Sequence, residues 1–176
     1  MNTSATDQQI LRERAASLAR PFTPALPPGE QIELLEFRLA QEDYAMASWH
    51  VVEVLPLKDL TPLPGTPAFL PGVVNVLGRI TPVLDIKKFF DLPDPGLTDL
   101  HRIILVRGHG MELGVLADAI TGMRRIALSA LQGALPTLSG IRADYLLGVT
   151  AQRLVVLDMD RILGDERLLV HQETLA

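Results

Sequence analysis

Phe69-Leu70-Pro71-Gly72-Val73-Val74-Asn75-Val76-Leu77-Gly78-Arg79-Ile80-Thr81-Pro82-Val83-Leu84-Asp85-Ile86-Lys87-Lys88-Phe89-Phe90 decides the fold of this chain. Its pattern predicts a strand over 72–77, a tight turn at Gly78, a strand over 79–84 and a short helix over 86–90. Asp85 suits the start of that helix, because its carboxylate accepts orphan N–H groups and favours the positive end of the dipole. No acids, bases or nucleophiles cluster in the stretch. Apolar, geometrically specified and chemically inert sequence points to a protein that holds partners rather than converting substrates.

The design recurs downstream. Thr81 to Phe90 is paralleled by Leu154-Val155-Val156-Leu157-Asp158-Met159-Asp160-Arg161-Ile162-Leu163, again a buried strand, an Asp cap and a short helix. Two copies predict two similar subdomains. Around them the period is two: Leu35, Phe37 and Leu39 share one strand face, with Glu36 and Arg38 on the other. Asp43 marks a turn, and Tyr44 to Val54 continues extended with a break near His50. Pro62, Pro64-Gly65 and Pro67 read as a loop, since each proline denies a ladder hydrogen bond. Ile103–Val106 and Met111–Leu116 flank the turn Arg107-Gly108-His109-Gly110. Further strands are expected over 121–127, 145–150 and 153–157, with a helical turn at Ser129–Gln132 and a loop at Pro136. Many short strands separated by turn signals favour small barrels. The expected fold is all-β, two compact barrel subdomains with short helices.

Residues 1–29 stand apart. Thr6 and Gln9 form a capping box, and Ile10, Leu11, Ala15, Leu18 and Ala19 fall on one side of an amphipathic helix that Pro21 ends. A linker with four prolines follows. So short a helix is marginal alone, and fraying, docking on its own domain and docking on a partner all fit it. The expected organisation is this helix and linker, a domain over 30–165 in two intertwined parts (30–95 and 96–165), and a tail over 166–176.

Composition excludes much else. The 176 residues carry a net charge of -5, so no basic field favours nucleic acid or anionic lipid. There is no cysteine, hence no disulfide, thiolate ligand or thiol nucleophile. The polar N-terminus lacks a signal peptide's apolar run and no segment has the ~20 apolar residues of a membrane span, so a soluble cytoplasmic protein without membrane insertion is expected. His50, His101, His109 and His171 are scattered without ligand spacing, and neither a metal nor a cofactor is expected. Ser48, Ser129 and Ser139 lie in no nucleophile elbow, Asp85 and Asp158 are explained as caps, and Gly108-His109-Gly110 is too short for a phosphate cradle. The chain is not expected to be an enzyme.

At these residues the sequence resembles the CheW family, the coupling proteins of bacterial chemotaxis. Thr66-Pro67-Ala68-Phe69, Gly72-Val73-Val74-Asn75-Val76-Leu77-Gly78 and Pro82-Val83-Leu84-Asp85-Ile86 follow the family's first-half signature. Val51-Val52-Glu53-Val54, Gly114-Val115-Leu116-Ala117-Asp118 and Asp144-Tyr145-Leu146-Leu147-Gly148 are similar to its later elements, all in order over about residues 30–165. The resemblance implies two five-stranded antiparallel barrels around a shared core and groove, and no catalytic activity. It also implies an adaptor bridging the cytoplasmic tips of methyl-accepting chemoreceptors to the regulatory domain of a CheA-type histidine kinase, at receptor arrays. The two folds alternate there in rings through contacts between unlike subdomains. Two departures stand out: the family's Arg before the turn glycine is Leu77 here, and a position often charged or polar is Leu55. Leu offers no forked hydrogen bond.

By that resemblance the partner-binding residues are Val51, Glu53, Leu55, Gly72, Asn75, Leu77, Gly78 and Arg79. Taken alone, Gly72 and Gly78 are explained by turns and close backbone approach. Asn75 bonds a loop carbonyl or faces a groove, the structural reading being ahead. Val51 reads as half-buried and Glu53 as solvated, while Leu77 is either core or an exposed apolar contact. Arg79 replaces the missing cation only if a regular turn returns it to the same side.

Overall fold

The computed structural model describes residues 30–94, 96, 100–133 and 141–168. The helix expected within 1–29, the loop at Pro136 and His171 lie outside the described residues. In chain order the elements are β1 (Gln31–Leu39), β2 (Glu42–Ala47), β3 (Val51–Pro56), β4 (Thr61–Pro62), β5 (Gly72–Val76), β6 (Arg79–Leu84), α1 (Ile86–Phe89), β7 (Arg102–Gly108), β8 (Met111–Ala117), β9 (Ala119–Ala127), α2 (Ile141–Asp144), β10 (Leu146–Val149), β11 (Val155–Leu157) and α3 (Met159–Leu163). Single turns of 3-10 helix, Ser48–His50 and Leu128–Ala130, follow β2 and β9. The first sheet runs β10-β11-β2-β1-β9 and the second β3-β7-β8-β6-β5-β4. The mostly-β, two-part architecture expected from the sequence is present.

Several details depart from the expectation. Each sheet holds one parallel pair, β11 beside β2 and β6 beside β8, among otherwise antiparallel neighbours. The second sheet has a sixth strand, because Thr61 and Pro62 pair with Val73 and Gly72. A proline fits there since β4 is the outermost strand and presents an edge. The first turn lies at Ala40 (φ 56°), not Asp43, which sits in β2 opposite Arg38. The Arg38 Nε and Nη2 groups donate to Asp43 Oδ1 at 3.0 and 2.9 Å, so the aspartate ties the hairpin rather than turning it. Sheet membership also does not divide at 95/96. The first sheet takes β1 and β2 from the start and β9 to β11 from the end, enclosing the second sheet in sequence.

The burial pattern explains this interleaving. Tyr44 and Met46 of β2 enter a core shared with Leu84, Ile104, Val106 and Val115 of the second sheet. Ala45 and Ala47, on the other face of β2, join Ile32, Leu34, Leu154 and Val156 in a cluster of the first sheet's own. Likewise Ile103 and Leu105 of β7 turn away from the shared core to Val74, Val76, Val83 and Leu116. The uninterrupted apolar runs Ile103–Val106 and Leu154–Leu157 are therefore strands covered on both faces. β1 changes sides midway, burying both Leu34 and Leu35.

The duplicated motif closes both halves alike. Asp85 Oδ1 accepts from Lys87 N at 3.0 Å, and Asp158 Oδ1 from Arg161 N at 3.1 Å. The backbone repeats the match: Asp85 N donates to Phe69 O and Asp158 N to Tyr145 O, each at 2.8 Å. Both caps satisfy orphan helix donors, the first in a buried setting and the second at the surface.

Candidate functional site

β5 and β6 project as a two-residue hairpin in which Val76 faces Arg79. Its central residues, Leu77 and Gly78, have φ of 50° and 84°, as a type I′ turn requires. Asn75 Oδ1 accepts from Gly78 N at 2.8 Å, so the asparagine braces the turn through a backbone N–H rather than the loop carbonyl expected from sequence. Gly78 meets the positive φ at no steric cost, whereas Leu77 is strained there. Leu77 is 91% exposed and Ile80 62% exposed, an apolar tip reaching into solvent. Leu77 is thus exposed rather than a core residue.

Beside the tip lies a shallow groove of about 280 Å³ between β3 and β5. Leu55, Val74, Val76 and Ile103 supply its apolar lining, with Pro56, Lys58, Asp59 and Asn75 completing it. The structure therefore brings together Leu55 and Asn75, with Leu77 directly following a wall residue. Gly72 stands further back. A Cβ on it would lie 2.2 Å from the Thr61 carbonyl oxygen, so its role is to admit β4. Val51 and Glu53 are half-buried and exposed as read, but a register shift between them alters which way β3 faces. Val51 consequently packs on the shared core while Leu55 packs on the second sheet's own cluster. Arg79 does not replace the absent cation at position 77, because its Nη2 pairs with Glu112 Oε1 at 2.8 Å. Glu112 also holds Arg107 through Oε2 at 2.6 Å.

Sequence reasoning missed the ionic staple behind this face. Lys87 is fully buried, with Nζ 2.7 Å from Asp118 Oδ1 and 3.4 Å from Asp94 Oδ1. Asp118 Oδ2 accepts from Ala40 N at 2.7 Å, and Oδ1 lies 2.9 Å from His101 Nε2. One carboxylate thus joins the β1–β2 turn to α1 and the start of β7. Burial works to lower the Lys87 pKa, but the hydrogen bond to Asp118 and the charges of Asp118, Asp94 and Asp85 outweigh it and raise it. Asp85 is raised, mainly by burial and further by Asp94, with Oδ2 lacking a hydrogen-bond partner among the described residues. No local signal marked it, since Lys87 sits beside the exposed Lys88 and reads as a second surface cation. Lysine is almost never fully buried unless paired.

His50 and His109 both approach Asp160, at 3.7 and 3.4 Å, and His50 Nδ1 lies 3.2 Å from Arg107 O. Among the described residues no group of three or more His, Cys, Asp or Glu could hold a metal ion. No described helix is long and apolar enough to cross a membrane.

An exposed apolar hairpin, a shallow lined groove and ion-paired flanks thus lie together on a domain of two sheets. The model of the CheW-like domain family matches residues 33–167, and the chain belongs to that family, whose members are non-catalytic scaffolds and adaptors. It is 27% identical over 146 residues to the chemotaxis protein CheW of Treponema pallidum, covering 79% of this chain and 86% of that protein. It is 35% identical over 118 residues to Protein FrzA of Myxococcus xanthus, covering 66% and 72%. The crystal structure of the scaffolding protein TtCheW from Thermoanaerobacter tengcongensis superposes with a TM-score of 0.69 at 26% identity, covering 78% of this chain and 96% of that one. The chain is a coupling or scaffold protein of chemotaxis-type signalling.

Proposed function

We propose that this protein couples the cytoplasmic tips of methyl-accepting chemoreceptors to the regulatory domain of a CheA-type histidine kinase, working in the cytoplasm at receptor arrays. The observation that carries the reading is the Leu77–Ile80 tip beside the β3–β5 groove, an apolar surface displayed at a conformational cost. An exposed apolar tip beside a shallow groove suits an interface of modest size, strengthened by many simultaneous contacts in a ring. Leu55, Asn75, Leu77, Gly78 and Arg79 border this face, Gly72 shapes its back, and Val51 and Glu53 lie earlier on β3. Titration calorimetry against the isolated kinase domain and against a receptor-tip fragment tests the proposal. Saturable binding to both is expected, and binding to neither overturns it.

A second reading is favoured by Leu77 itself. Leucine in place of arginine removes a forked donor and adds an apolar knob, which suits self-assembly or a kinase pathway without standard receptor binding. Leu77→Arg separates the two. Tighter receptor-tip binding with weaker self-association supports the second reading, and unchanged self-association opposes it.

A further inference from the structure

A second constellation lies where the two sheets meet, away from the hairpin. Phe69 precedes β5 and Phe89 ends α1, both belonging to the second sheet's part of the chain. Tyr145 precedes β10, and Asp165 and Arg167 follow α3, on the first sheet's side. The rings touch across the seam: Phe69 and Phe89 at 5.2 Å and Phe89 and Tyr145 at 5.3 Å, both edge-on, with Phe90 and Tyr145 at 6.2 Å. Over them sits a guanidinium. Arg167 Cζ is 4.3 Å from the Phe89 centroid, 5.8 Å from Phe69 and 6.0 Å from Tyr145.

The polar side is equally built. Arg167 Nε donates to Asp165 Oδ1 at 3.1 Å and Nη2 donates to Asp165 Oδ2 at 2.9 Å, a forked pair. Nη2 also donates to the Tyr145 hydroxyl at 2.9 Å, and that hydroxyl donates to Asp165. Three aromatic rings and a fixed carboxylate are the components of a cation cage. Leu168, the next residue, is buried in the shared core. The expected tail over 166–176 therefore begins inside the folded body.

We propose that this seam is a guanidinium-binding socket, that Arg167 is its resident occupant, and that filling it pins the two sheets in their mutual orientation. The shape of the socket suits a planar, weakly hydrated cation better than a compact ammonium, since guanidinium stacks on a ring face while presenting edge donors to the carboxylate. Arginine here bridges elements of both sheets with one side chain, so the residues that hold it come from four separate stretches of chain.

Chemical rescue tests this. In the full-length protein, Arg167→Ala should lower Tm by roughly 2–4 °C. Ethylguanidinium chloride, added at low millimolar concentration, should recover most of that loss saturably, while leaving the wild type unchanged and outperforming ethylammonium chloride at equal ionic strength. The Tyr145 hydroxyl gives a readout that generic destabilisation does not: burial and the Asp165 hydrogen bond hold it above the ordinary tyrosine value while Arg167 works against them, so ionisation followed at 295 nm should move to still higher pH in the variant and return on rescue. If R167A proves too unstable to study, Arg167→Lys should fold with an intermediate Tm and an intermediate Tyr145 titration. An R167A protein that is as stable as wild type, or that guanidinium and ammonium restore equally or not at all, overturns the proposal. So does an unshifted Tyr145 in either variant.

Discussion

Leu77→Asn should make the protein more stable and a poorer binder. The backbone at 77 has φ 50°, where a residue other than glycine or asparagine costs about 1 kcal/mol or more. Asn-Gly is the preferred pair for such a turn, so the substitution relieves most of that cost. What it forfeits is small. Burying a whole leucine contributes roughly 1.5–3 kcal/mol, and a side chain that is 91% exposed retains only about a tenth of it, near 0.2 kcal/mol. The net gain is about 0.8 kcal/mol, which raises Tm by roughly 2–4 °C in a chain of this size. Binding moves the other way, because an apolar contact at an interface centre contributes upwards of ~1 kcal/mol, fivefold or more in Kd. Differential scanning calorimetry and titration calorimetry with the kinase domain measure the two effects on one preparation. A lower Tm would refute the strain argument, and unchanged affinity would refute the contact.

Other perturbations separate structure from docking. Gly72→Ala places a methyl group 2.2 Å from a backbone oxygen, so β4 must detach and denaturant melts should show a loss of about 2 kcal/mol or more. Lys87→Ala leaves Asp118, Asp94 and Asp85 without their buried cation, and a loss of roughly 3–5 kcal/mol is expected by the same assay. The forked pair with Arg167 holds the Asp165 carboxyl at about 2, below its ordinary 3.8. Folding therefore releases its proton, and the stabilisation is present above pH ~4 and fades as pH falls toward 2. Its size is on the order of 1–2 kcal/mol, reduced because the arginine is partly exposed. The Tm difference between wild type and Asp165→Asn should be largest near pH 7 and close as pH falls through about 2. A difference independent of pH would contradict the assignment.

Much of the fold could be read because its signals are local. Turn glycines, period-two alternation and paired Asp caps identify strands 72–76 and 79–84 and both short helices within a residue or so. What escaped the sequence depends on sheet pairing. Nothing local to Tyr44–Met46 announces a parallel neighbour in Val155–Leu157, and nothing in Thr61-Pro62 announces a two-residue edge strand. At the candidate site, the half-burial of Val51 follows from residue type. The exposure of Leu77 does not, since a leucine closing a strand reads equally as core or as exposed contact. It becomes visible only when the turn takes positive φ at both central positions. Lys87 and Arg167 were hidden for a related reason: Asp118 for the one, and the Phe89 and Tyr145 rings for the other, lie far along the chain, and each looks like an ordinary surface cation until the sheets meet.

The central claim, that this chain couples receptors to a kinase, is tested most directly by co-sedimentation. Receptor tips are displayed on vesicles, a CheA-type kinase is added, and the pellet is assayed with and without this protein. The account predicts that the kinase pellets only when the protein is present, and that Leu77→Asn diminishes recovery of both. Kinase recovery that does not depend on the protein, or protein that stays in the supernatant throughout, would contradict it.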